Sequence, residues 1–180
     1  MATQLITVNS IVIGSNFNVS SAEALANASD DSNSTSFQNT SGNQPVSFGL
    51  EGTGDYANLN SATSIESIQP IVTMAAAGKG AASVATFISD GGSAVNATVL
   101  STASLSATDL SASVYTPEAG LGGSKLNALE FTITGNTNTI NKIFRVRFLV
   151  TFTAAAAAVD NNQYLGINGE MILDSGQINI

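Results

Sequence analysis

Lys142-Ile-Phe-Arg-Val-Arg-Phe-Leu-Val-Thr-Phe-Thr153 decides the fold of this 180-residue chain. Its even positions, Phe144, Val146, Phe148, Val150 and Phe152, are large and apolar at strict alternation. Its odd positions include Arg145, Arg147, Thr151 and Thr153. Successive side chains of a strand point to opposite faces, so the segment reads as a strand with one face in a core and the other outside it. The five even residues are the expected centre of that core. Arg145 and Arg147, two of only five basic residues, stand together on the outer face. They act there as outward charges protecting a sheet edge, or as an inter-sheet or inter-subunit ion pair with some of the thirteen acids. The second reading makes them candidate contacts to a subunit or shell.

Working outward, the same period of two recurs in shorter pieces. Leu5 to Ile13 is rich in β-branched residues and predicts one or two strands, with a bulge or turn at Asn9-Ser10. Val46 to Leu50 alternates and predicts a strand. Ile65 to Ala77 is apolar but holds Pro70, which lacks an N–H and predicts an edge position or a bend. Val84 to Ile88 predicts a strand ended by the turn signal Asp90-Gly-Gly92. From Val95 to Ala107 small apolar residues alternate with Ser, Thr and Asn, which predicts two closely packed strands or one long one. Leu129, Phe131 and Ile133 line one face of a strand ending at Gly135-Asn136. Ala154 to Ala158 is too short to nucleate a helix alone and permits close backbone approach at a tight interface. Tyr164 to Ile167, Met171 to Leu173 and Gln177 to Ile180 read as short closing strands. The sum is eight to ten strands in a single all-β domain, an antiparallel sandwich of jelly-roll type.

One segment departs from this pattern. Sixteen of the thirty residues from Ser15 to Gln44 are Ser, Thr or Asn. Ala22 to Ala28 can form two helical turns with Ser20 or Ser21 as N-cap. The rest reads as a long polar loop or arm whose middle projects, with Phe17 and Phe37 as hydrophobic pegs into a neighbouring subunit or an underlying shell.

Composition sets the function classes. The chain has no His, Cys or Trp, and no disulfide can form. Ser–His and Cys–His nucleophile pairs and His- or Cys-ligated zinc are thereby excluded. Carboxylate pairs are the remaining acid–base option: Asp30 with Asp31, Glu51 with Asp55, Asp160, and Glu170 with Asp174. Each sits beside Gly, Ser or Asn and reads as a solvated turn residue. Glu51 to Asp55 and Asp160-Asn161-Asn162 lack the spacing of a calcium loop. Gly78-Lys79-Gly80 is not a phosphate-binding loop. No catalytic residue, cofactor or metal is expected. The net charge of −8 argues against nucleic acid and against anionic membrane surfaces, and no apolar run spans a bilayer. The opening Met1 to Val8 has neither a basic n-region nor a long apolar h-region, which points to synthesis in a cytoplasm. Charged residues are only 10% of the chain. A neutral Ser/Thr/Asn surface is cheap to bury against a neighbour, so the composition points to an assembled state.

The Met-Ala-Thr start, the Ser/Asn/Gly-rich body and the ending Ile167-Asn-Gly-Glu-Met-Ile-Leu-Asp-Ser-Gly-Gln-Ile-Asn-Ile180 resemble virion structural proteins of tailed bacteriophages, most of all capsid decoration (cement) proteins. That resemblance is one of overall character and rests on no specific motif. It implies a jelly roll or β-tulip that forms a homotrimer on the major capsid protein of the same virus, made in the host cytoplasm and resident in the virion. The alternative is a receptor- or carbohydrate-binding β-module of a phage tail or a cell surface, for which Tyr56, Tyr115 and Tyr164 are the stacking candidates.

Overall fold

The computed structural model describes residues 1–13, 17–30, 32–38, 45–50, 57–78, 80–90, 93–117, 121–135, 141–156, 164–167 and 170–173. Within them the chain is an antiparallel β-sandwich. One sheet has the order β1 (Ala2–Ile6), β10 (Asn141–Thr153), β5 (Ser64–Ala76), β8 (Thr108–Ser111), with the short β3 (Phe37–Gln38) also paired to β10. The other has the order β2 (Val8–Ile13), β4 (Pro45–Leu50), β9 (Glu130–Gly135), β6 (Ala82–Asp90), β7 (Ser93–Thr102). Chain neighbours repeatedly lie in opposite sheets, as β1 and β2, β5 and β6, β7 and β8, and β9 and β10 do. That alternation gives the sandwich its jelly-roll-like character. A separate hairpin is formed by β11 (Tyr164–Ile167) and β12 (Glu170–Leu173).

The long alternating strand is β10, flanked by β1 and β5. Phe144, Val146, Phe148, Val150 and Phe152 are all buried. Val146, Phe148, Val150 and Phe152 share one continuous core with Val46, Phe48 and Leu50 of β4, Phe131 and Ile133 of β9, and Val84 and Ile88 of β6, whereas a register irregularity between Ile143 and Arg145 puts Ile143, not Phe144, into that cluster. Phe131 and Phe148 join the two sheets edge to face, with ring centroids 5.5 Å apart, the arrangement aromatic quadrupoles favour.

Three sequence expectations need refinement. Asn9 falls at a register irregularity between Val8 and Ser10, and the chain changes sheet at Thr7, so Leu5 to Ile13 is two strands in two sheets. The Val95–Ala107 pattern is strand only as far as Thr102, the end of β7; residues 103–107 connect it to β8 in the opposite sheet. Pro70 lies inside β5, a strand paired on both sides, and not at an edge or bend. The reason is local. Ala112 N donates to the Pro70 carbonyl at 2.9 Å, so the proline nitrogen faces the same side, just beyond the end of β8. The Ala112 carbonyl, which an N–H at position 70 would have served, accepts instead from Gln69 Nε2 at 3.4 Å.

The projecting arm is the larger correction. Helix α1 (Ser21–Ser29) forms where the Ala-rich run predicts it, with Glu23 N donating to Ser20 Oγ at the N-cap. Its Ala24 and Ala28 are fully buried, and the helix packs against β2 and β10. Phe37 is fully buried and Phe17 packs on the core beside it. Ring centroids run Phe17–Phe37 at 6.3 Å, Phe37–Phe48 at 6.2 Å and Phe48–Phe131 at 6.4 Å. The two residues read as pegs for a neighbour therefore extend the chain's own aromatic core. Removing the Phe37 ring fully and the Phe17 ring partly from water outweighs holding them ready for a partner, at about 2–3 kcal/mol for a fully buried side chain. Residues 39–44 of the segment lie outside the described residues.

Candidate functional site

Strand alternation gives each sheet an outer face, and the two faces differ in chemistry. Outside the first sheet, Arg145 and Arg147 of β10 lie beside Thr73 of β5 and Asp109 of β8, which pair in register. Asp109 Oδ2 accepts from Arg147 at 2.9 Å. Asp109 Oδ1 accepts the Thr73 hydroxyl at 2.5 Å and lies 3.7 Å from an Arg145 nitrogen. Arg145 Nε donates to Thr73 Oγ1 at 3.4 Å. Both guanidinium side chains are largely covered, at 13% and 17% exposure, while Asp109 is half exposed. Further along, Thr153 donates to Glu66 at 2.9 Å. The arginines thus find their carboxylate within their own sheet, two strands away. They neither bridge the two sheets nor protect an edge, because β10 is an interior strand.

Outside the second sheet the registers stack neutral residues in rows. Val12, Ser47, Thr132 and Phe87 form one row across β2, β4, β9 and β6. Thr134, Ala85 and Val99 form another across β9, β6 and β7. Ser47 and Thr132 share a hydrogen bond of 3.0 Å, which satisfies two hydroxyls without a charge. Val12 is 71% and Val99 63% exposed. Among the described residues Glu130 is the only charged side chain on this face, at one end of the hollow formed with Ser10, Val12, Ser47 and Gly49. A Cβ at Gly49 would meet the Ser10 hydroxyl, which would have to turn away.

The sequence alternation in β7 was legible, but not its direction. Thr98 and Leu100 point inward, so Ala97 and Val99 point out, and Leu105 beyond the strand is 72% exposed. Phe87 was not singled out at all, because one aromatic in the apolar run Val84–Ile88 carries no mark of facing outward.

A third feature lies at the end of the sandwich where β6 turns into β7. Asp90, Ser93, Val95, Tyr115 and Thr116 line an open hollow of about 470 Å³. Tyr115 exchanges two backbone hydrogen bonds with Ile68, both 2.8 Å, and its hydroxyl donates to Asp90 Oδ2 at 2.5 Å.

Of the carboxylates considered for acid–base work, Asp30 accepts from Ser32 N at 2.9 Å and from the Thr35 hydroxyl at 2.7 Å, a turn-stabilising role. Asp31, Glu51, Asp55, Asp160 and Asp174 lie outside the described residues, as do Lys79, Tyr56, the side chains of Glu170 and Tyr164, and the expected strand Gln177–Ile180. Ala154–Ala156 are exposed after the end of β10. Among the described residues no helix is long and apolar enough to cross a membrane.

No family model and no curated protein matches the chain. Among solved structures it is similar to the CBM32 of AlyQ in complex with 4,5-unsaturated mannuronic acid, at 14% identity and a TM-score of 0.45, over 81% of this chain and 97% of that one.

Proposed function

We propose that this chain is a non-enzymatic structural protein of a viral particle, decorating and stabilising a capsid through protein–protein contacts. Its partners in this reading are further copies of itself, as a trimer, and the major capsid protein of the same virus. The observation that carries the reading is the outer face of the second sheet, five strands wide and, among the described residues, neutral except for Glu130. Taking an ion out of water costs several kcal/mol when its partner is imperfect. Covering a serine, threonine or valine costs far less or is favourable. Strands spaced about 4.8 Å apart and six to ten residues long make this face roughly 500–700 Å² of flat ground. A standard interface takes about 800 Å² from each partner, so a docked shell or subunit would use the whole face and a rim around it.

The test is sedimentation. Purified chain is mixed with capsids assembled from the major capsid protein and pelleted. Saturable co-sedimentation, abolished by Val12→Lys with Val99→Lys, is the expected result. A chain that stays in the supernatant, or a double variant that pellets as well as the native chain, would overturn the reading.

A further inference from the structure

The hollow at the β6–β7 end has a chemistry unlike either sheet face. Tyr115 is fixed at both ends: its backbone is clamped to Ile68 by two hydrogen bonds, and its hydroxyl is spent on Asp90. The half-buried ring lines the hollow together with Val95, and both side chains pack against the core. Asp90 uses Oδ2 for that bond, and its Oδ1 has no partner among the described residues. Ser93 and Thr116 add hydroxyls that donate and accept. An apolar wall with a few converging polar groups is the usual form of a small-molecule site, and a pre-fixed ring and carboxylate lose little freedom when a ligand arrives.

We infer that this hollow binds a neutral sugar residue. The second carboxylate oxygen of Asp90 accepts strongly from hydroxyls, the aromatic ring covers the C–H surface of a pyranose, and the hydroxyls of Ser93 and Thr116 add a polyol's remaining donors and acceptors. Among the described residues that line it none is cationic, and the chain's charge of −8 repels anions, which selects neutral over acidic sugars. The site stands apart from the assembly reading. It is measured on the isolated chain, so its failure leaves that reading intact, and a failure of capsid binding leaves the site intact.

The experiment is a titration of the full-length ¹⁵N-labelled chain, followed by NMR, with methyl β-glucopyranoside, methyl β-galactopyranoside, methyl α-mannopyranoside and N-acetylglucosamine. At least one should give saturable shifts confined to residues 90–95 and 113–117, with a Kd on the order of 1–10 mM. Tyr115→Ala should weaken it at least tenfold. Tyr115→Phe, which keeps the ring but frees Asp90, should weaken it less. Ser93→Trp fills the mouth from an exposed position and serves as the blocking variant if Tyr115→Ala does not fold. Absence of saturable shifts with all four sugars, shifts mapping elsewhere, or unchanged affinity in the blocking variants would overturn the proposal.

Discussion

On the outside of the first sheet, Asp109 of β8 gathers Thr73 from β5 and Arg145 and Arg147 from β10. On the outside of the second, Glu130 is the only charged residue described across five strands. Both faces belong to one sandwich and share one core. The difference lies in where a chain with 10% charged residues places its few ions. The first face holds its charges in a cross-strand network in which Asp109 serves both arginines, with the buried Arg147 Nε left without a hydrogen bond among the described residues. A partner docking there would have to desolvate that network, while one docking on the second face would displace water from hydroxyls, alanines and valines. Polar satisfaction on the second face is local and neutral, as in the Ser47–Thr132 pair. The comparison teaches that low overall charge is not spread evenly: it leaves one face nearly free of ions.

Substitutions separate what the two faces share from what distinguishes them. The largest effect belongs to the common core. Phe148→Ala removes the ring that meets Phe131 and should cost about 3–5 kcal/mol, read as a lower midpoint in chemical denaturation. Phe37→Ala should cost nearly as much, since Phe37 is equally buried between Phe17 and Phe48. An effect below about 1 kcal/mol would return Phe37 to the role of a peg for a neighbour. Next comes the charged face. Asp109→Ala leaves two largely covered guanidinium groups without their shared carboxylate and should cost about 1–2 kcal/mol, discounted because Asp109 is itself half exposed. The penalty should shrink in high salt. Gln69→Ala strands the Ala112 carbonyl and should cost about 0.5–1.5 kcal/mol. The smallest effect on folding falls on the neutral face: Val12→Lys with Val99→Lys should change stability by no more than about 0.5 kcal/mol per site.

How much of this the sequence disclosed depends on the size of the side chains. In β10 large phenyl and valyl groups alternate with Arg and Thr, so strand and buried face follow from the residues, while the two register irregularities against β5, at Ile143–Arg145 and Thr151–Phe152, do not. In β7 the alternating set is Val, Ala, Ser and Thr, and alternation alone says that two faces differ, not which is inside. The helix and Phe37 were both legible in residues 15–44, but the segment's polar count concealed that they pack into the chain's own core. Two alanines and one phenylalanine carry that segment's burial, and an average over thirty residues hides three. Pro70 misled because its missing N–H matters only toward the side where β8 has ended. The Arg145–Arg147 pair was visible as a pair, but its carboxylate sits on a strand that pairs with β5, and such topology is not written in local sequence. The Tyr115–Asp90 contact spans 25 residues for the same reason.

The central claim is that the neutral face of the second sheet is where the chain assembles. Analytical ultracentrifugation of the isolated native chain and of the Val12→Lys, Val99→Lys variant, each at micromolar concentration, tests it most directly. The account expects a native trimer and a monomeric variant whose unfolding midpoint is unchanged. A native chain that sediments as a monomer, or a double variant that remains a trimer, would contradict it.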